Sequence, residues 1–191
     1  FILSNYLLHV YLGRHLGPEG YGVFGIIMSI YLINRSFLNT GFPKSVSKAI
    51  AESENQKNII AKKAIKIEFL IAFIFSLLYI IFADKIALLL NDKGLSNYIV
   101  LLGIILVPLS IISLYLNGFF NGTRRFLEQA KVKIIYSVVR VLLAILLVAL
   151  GLNIFGVLFG YLIAIIFSIF VAKSYFKINF SDKRKFNFKK I

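Results

Sequence analysis

Apolar residues in this chain come in blocks rather than in a stripe. Each long block approaches the roughly 20 residues that an α-helix needs to cross the hydrocarbon core of a bilayer. A soluble amphipathic helix would instead interleave polar residues at a 3.6 period. Six blocks are predicted to be transmembrane helices: Phe1–Gly13, Tyr21–Thr40, Ile65–Ala83, Tyr98–Phe120, Val132–Leu150 and Ile154–Ala172. The first is too short to cross, and Phe1 is not an initiator methionine, so the chain is expected to be cut from something longer. The pattern predicts an all-α membrane fold, a polytopic helical bundle whose first helix is truncated.

The segments between the blocks carry turn chemistry. Arg14–Gly20 holds Gly17 and Pro18 and is expected to turn between the first two spans. After Gly41-Phe42-Pro43 comes an amphipathic stretch, Lys44–Lys63, expected to lie along the membrane surface. Ala83–Asn97 joins spans three and four, with a short interfacial helix predicted at Ile86–Leu90. Asn121–Lys131 joins four and five, and Gly151-Leu152-Asn153 allows only a tight hairpin between five and six. Lys173–Ile191 reads as a basic tail or linker.

Composition agrees. The 191 residues are 59% hydrophobic and only 16% charged, too little polar surface for a soluble domain. The net charge of +14 would suit a nucleic-acid partner, but its placement gives a different account. Lys44, Lys48, Lys57, Lys62, Lys63, Lys66, Arg124, Arg125, Lys131 and Lys133 fall on one set of loops, with the tail lysines and Arg184 on the same side. The opposite loops hold only Arg14, Lys85 and Lys93. The positive-inside rule then puts the 44–66 and 124–133 loops and the tail in the cytoplasm of a multi-pass cell-membrane protein, with no nucleic acid required. Cysteine is absent, which excludes disulfides and thiolate metal sites.

Packing is also encoded. Gly156, Gly160, Ala164, Ser168 and Ala172 place a small residue at every fourth position of the sixth span, a ridge that lets a neighbouring backbone approach. Gly22, Gly25, Ser29 and Ser36 are expected to do the same on the second span. Pro108 is expected to kink the fourth, with a neighbour, a Ser hydroxyl or water satisfying the freed carbonyl.

Two arginines stand inside apolar blocks, Arg35 and Arg140, each at a cost of about 2.5–3.5 kcal/mol at a span centre. On the second span Met28, Tyr31, Arg35 and Asn39 share a face; on the fifth Lys133, Tyr136, Arg140 and Ala144 do. Such stripes suit a wet lumen for an anionic cargo, the guanidinium being a bidentate fork for phosphate. A structural ion pair with Glu68 or Glu128, or snorkelling of Arg35, is the competing account. Glu68 is either a coupling or pairing carboxylate inside the third span or an interfacial charge. His9 reads as a packed polar residue, and no metal or cofactor is expected. Asn5, Asn34, Asn39, Asn117 and Asn121 suit a sugar path or helix-to-helix bonding. The loops hold no paired carboxylates, nucleophile elbow or phosphate-cradling glycine loop, so no enzyme chemistry is expected.

The stretch Tyr11-Leu12-Gly13-Arg14-His15-Leu16-Gly17-Pro18-Glu19-Gly20-Tyr21-Gly22-Val23-Phe24 resembles the polysaccharide-transporter (O-antigen flippase) family. That family sits in the superfamily that also contains multidrug and toxin extruders and lipid II flippases. Gly41-Phe42-Pro43 with Val46–Glu52, and Asn117–Phe126, resemble two further stretches of the same family. The resemblance implies one lobe of a two-lobe, twelve- to fourteen-helix transporter, with the carboxy-terminal half of the same protein as the other lobe. It implies a saccharide on a polyprenyl phosphate or pyrophosphate as cargo, moved by rocking of the lobes. Arg140, Arg35, Tyr31, Asn39 and Tyr136 are then candidates for the cavity, and Glu68 for coupling. A multidrug extruder, a membrane glycosyltransferase and a non-transporting scaffold remain as alternatives.

Overall fold

The computed structural model describes residues 2–178, with side chains throughout that range except at 2–4 and 54. Among them there is no strand. Eight helices follow in order: α1 (Ile2–His15), α2 (Gly17–Thr40), α3 (Phe42–Glu52), α4 (Lys57–Ile81), α5 (Ala83–Leu89), α6 (Ser96–Ser113), α7 (Phe126–Leu147) and α8 (Asn153–Tyr175). A π-helical segment, Leu114–Phe120, continues α6, and a second, Val148–Leu152, continues α7.

Four continuous stretches, Gly17–Glu52, Lys57–Ile81, Lys93–Phe120 and Phe126–Tyr175, are long and apolar enough to cross a membrane. The last holds two antiparallel limbs, because the chain reverses at Gly151 (φ 87°) and Asn153 (φ 46°). This is the tight hairpin expected between spans five and six. α1, with 14 described residues, is shorter than a span. The protein is a helical membrane bundle.

α6 is the central helix, buried on most of its circumference by Leu101, Leu102, Ile105, Leu106 and Leu109, with α2, α4 and α8 around it. α4 buries a small and polar stripe (Ala61, Ala64, Glu68, Ala72, Ser76) and exposes Phe69, Leu70, Phe73, Leu77 and Ile81. Exposed rings and leucines along a helix of this length form the face a bilayer covers.

The ridge on α8 packs as its spacing predicts. A Cβ on Gly160 would stand 2.8 Å from the Ala144 nitrogen of α7, and one on Gly156 would stand 2.9 Å from the Leu147 carbonyl carbon. The two backbones touch because neither glycine has a side chain. The small face of α2 behaves differently from expectation: Gly22, Gly25, Ser29 and Ser36 are exposed, and a Cβ on either glycine would meet nothing within 4 Å. No other helix among the described residues covers it.

Two further expectations are corrected. The turn at Arg14–Gly20 shrinks to Leu16, with helix on both sides; Gly17 takes the positive φ (69°) and Pro18 sits in the first turn of α2, where a missing N–H costs nothing. The surface stretch ends at Glu52, since Lys57–Lys63 already forms the first turns of α4. α6 carries Pro108 inside its Ser96–Ser113 span, and a π-helical segment follows from Leu114. Ser110 spends its hydroxyl on the Val107 carbonyl at 2.8 Å, not on that of Ile104, which the proline leaves without its helical N–H. The interfacial helix expected at Ile86–Leu90 is α5, and the basic tail beyond residue 178 lies outside the described residues.

α3 is amphipathic and turns Pro43, Val46 and Ile50 inward. It lies on the π-helical segment and the turn after it, where a Cβ on Gly122 would stand 2.8 Å from the Ser47 carbonyl oxygen. On the same end of the bundle Phe176 is buried and stacks on Phe119, with centroids 5.2 Å apart.

Candidate functional site: a cationic cavity

α2, the end of α6 with its π-helical segment, and α7 converge at the end of the bundle from which the 41–56 and 121–125 connections project. Their polar residues fall on the inner faces there, and the apolar Leu109, Ile112, Leu116 and Ile134 hold the walls apart. The result is a cavity of about 550 Å³. Arg35, Lys44 and Lys133 line it, and among the described residues no carboxylate does. Asn39, Thr40, Ser113, Asn117, Asn121, Tyr136 and Ser137 supply neutral polar groups. Three cations lining one space give it a positive potential that attracts an anion.

The two stripes legible in the sequence are each cut in half by this cavity. Arg35 and Asn39 from α2 line it, as do Lys133 and Tyr136 from α7. The deeper members close it off. The Tyr31 hydroxyl meets that of Tyr136 at 3.2 Å, and Tyr31 is buried. Arg140, one turn beyond Tyr136, is 2% exposed and lies outside the cavity lining. Its guanidinium lies over the rings of Tyr161 (4.9 Å to the centroid) and Tyr136 (5.4 Å) and donates to Asn5 Oδ1 of α1. This combines cation–π attraction with a hydrogen bond, an arrangement that holds a charge in a dry interior. Ala144, the last of the α7 stripe, meets Gly160.

Glu68 is also 2% exposed, buried on α4 away from the cavity, rather than displayed at an interface. Glu128 pairs with Arg125, not with Arg35 or Arg140: Arg125 Nη2 and Nε donate to its Oε1 at 2.7 and 3.0 Å. The same guanidinium donates from Nη1 to the Tyr175 carbonyl at 2.6 Å, tying the α6–α7 turn to the end of α8. Hydrogen bonding from Arg125 holds the Glu128 carboxyl below the usual carboxylate range. His9 packs against Tyr21 and Phe24, its Nδ1 2.9 Å from the Tyr21 hydroxyl.

The asparagines bond helix to helix, and some of them also line the cavity. Asn34 donates to the Tyr79 hydroxyl at 2.7 Å, bonding α2 to α4. Asn39 Oδ1 accepts from the Ser113 hydroxyl (2.7 Å) and from Asn117 Nδ2 (3.0 Å), bonding α2 to α6 while all three line the cavity. Sequence reading passed over Lys44, counted only as a loop charge, because the helix break at Gly41 hides its register with Arg35. Ser113, Asn117 and Asn121 recur every fourth residue in an otherwise apolar block, a signal that was available.

A family model described as "Polysaccharide biosynthesis protein" matches residues 2–191. The chain belongs to that family. The Stage V sporulation protein B of Bacillus subtilis (strain 168) is 27% identical over 146 residues, covering 73% of this chain. The chain spans 28% of the length of that relative. No solved structure matches it. The family agrees with the resemblance read from the turn at Tyr11–Phe24.

Proposed function

We propose that this chain is one lobe of a cell-membrane transporter that flips lipid-linked oligosaccharide or polysaccharide precursors by alternating access. The observation that carries the reading is the cavity's charge: Arg35, Lys44 and Lys133 line it, with no carboxylate among the described lining residues. A polyprenyl phosphate or pyrophosphate head group is attracted to these cations, and its saccharide finds the amides and hydroxyls beside them. The positive-inside rule assigns the basic end of the bundle to the cytoplasm, so the cavity opens toward the side where such precursors carry their head groups before export. The lipid tail stays in the bilayer, and the second lobe, from the rest of the protein, completes the path. A multidrug extruder for cationic cargo would need carboxylates where this cavity has arginine and lysine.

The test uses the full-length protein in a strain whose surface glycan depends on it. Arg35→Gln, Lys44→Gln and Lys133→Gln, singly and together, are compared at equal membrane level. Loss of surface glycan with lipid-linked precursor held inside, deepest in the triple variant, is the expected result. Normal glycan in the triple variant would remove the cavity from the transport path.

A further inference from the structure

Beside its cations the cavity holds a row of amides whose orientation is fixed from outside it. The chain of constraints begins at the end of the π-helical segment. In a continued π-turn the Asn121 N–H would serve the Leu116 carbonyl; it bonds the Gly118 carbonyl instead. Gln129, buried on α7, reaches across and donates Nε2 to the Leu116 carbonyl at 2.6 Å. A carbonyl only accepts, so this bond decides which end of the Gln129 amide is nitrogen. The same Nε2 lies 2.8 Å from the Asn121 side chain, which must therefore turn its Oδ1 toward Gln129. Asn121 is left with its Nδ2 hydrogens for the cavity it lines.

A parallel accounting holds next door. The single Ser113 hydroxyl hydrogen faces two acceptors, the Leu38 carbonyl at 3.0 Å and Asn39 Oδ1 at 2.7 Å, and the shorter contact is the one to Asn39. Asn117 Nδ2 donates to Asn39 Oδ1 at 3.0 Å and to Ser113 Oγ at 3.4 Å. Asn39 has then used its oxygen and keeps its Nδ2 hydrogens, while Asn117 has used its nitrogen and keeps its Oδ1. The row reads donor at Asn39, acceptor at Asn117, donor at Asn121. Hydroxyl groups, which donate and accept, and acetamido groups, which offer one of each, match it; a bare phosphate, acceptor only, matches just its ends.

We propose that Asn39, Asn117 and Asn121 form a neutral subsite reading hydroxyl and acetamido groups of a saccharide, with Gln129 as the positioning residue that sets its polarity. The inference rests on the cationic cavity being the head-group site and adds the sugar side of it. Gln129 does not line the cavity, so its effect passes through Asn121 and the π-helical segment.

The experiment measures binding to the purified full-length protein of two probes, farnesyl pyrophosphate and farnesyl-pyrophosphoryl-N-acetylglucosamine. Wild type is expected to bind the sugar-bearing probe at least tenfold more tightly. Gln129→Met is expected to abolish that gain while shifting affinity for the sugar-free probe by less than threefold. Arg35→Gln is expected to weaken both probes alike. Equal binding of the two probes by wild type overturns the subsite, as does a Gln129→Met variant that weakens both probes equally. Unchanged sugar-free binding in Arg35→Gln instead sinks the charge reading on its own. If Gln129→Met fails to reach the membrane, Asn117→Leu tests the same gain from the cavity side, and a retained gain there also overturns the subsite.

Discussion

The hydroxyls of Tyr31 on α2 and Tyr136 on α7, 105 residues apart in sequence, meet at 3.2 Å in the buried middle of the bundle. Tyr161 of α8 closes edge-on against Tyr31, with centroids 5.6 Å apart. Below this contact lie water-accessible cations; above it lies the packed Arg140. Tyr136 lines the inner end of the cavity, and Tyr31 backs it from the buried side.

Removing either hydroxyl leaves the other without this partner. Tyr31→Phe and Tyr136→Phe are each expected to lower stability by about 1 kcal/mol. The double variant should lose less than the sum, because both changes remove one bond. Thermal unfolding of the four proteins in detergent checks this, and strict additivity would show that the hydroxyls do not interact.

Arg35 and Arg140 should separate by phenotype. Arg140→Ala removes a buried charge that two rings and Asn5 hold, and is expected to lower the melting temperature while any protein that reaches the membrane keeps its affinity for pyrophosphate. Arg35→Gln is expected to do the reverse, losing roughly tenfold in affinity with little change in melting temperature. The two measurements on the two variants decide it; matching profiles would mean that the cavity boundary at Tyr136 has no functional meaning.

Glycine substitutions should divide by what surrounds each Cα. Gly160→Ala puts a Cβ 2.8 Å from the α7 backbone and is expected to cost about 1–3 kcal/mol by forcing α7 and α8 apart. Gly22→Ala and Gly25→Ala meet no atom within 4 Å and should be neutral or slightly stabilising in this bundle. Melting temperatures of the three variants give the comparison directly.

The Arg125–Glu128 tie should be lost in acid. Its carboxyl sits below the usual range in the fold, so its contribution is present above the range of a free carboxylate and disappears as pH falls through the lowered value. Glu128→Gln is expected to be less stable than wild type near neutrality and indistinguishable from it at low pH. A gap independent of pH would assign the effect to packing instead.

Much of this protein follows from the one-dimensional pattern. Apolar blocks of span length and a fourfold small-residue ridge on α8 are local or periodic properties, and hydrophobic length, loop charge and helix spacing act without knowledge of distant neighbours. The polar-aromatic faces of α2 and α7 were legible for the same reason. Tertiary structure decided where those faces become wet. The split between Arg35 and Arg140 depends on how deeply Tyr31 and Tyr136 meet across 105 residues, and no periodicity reports depth. Lys44 enters the cavity because Gly41 breaks the helix and α3 folds back over the π-helical segment, placing a loop lysine beside Arg35. The bare face of α2 is the converse case. Its small residues are periodic enough to predict a packing ridge, yet whether a helix covers them is set by the arrangement of the whole bundle.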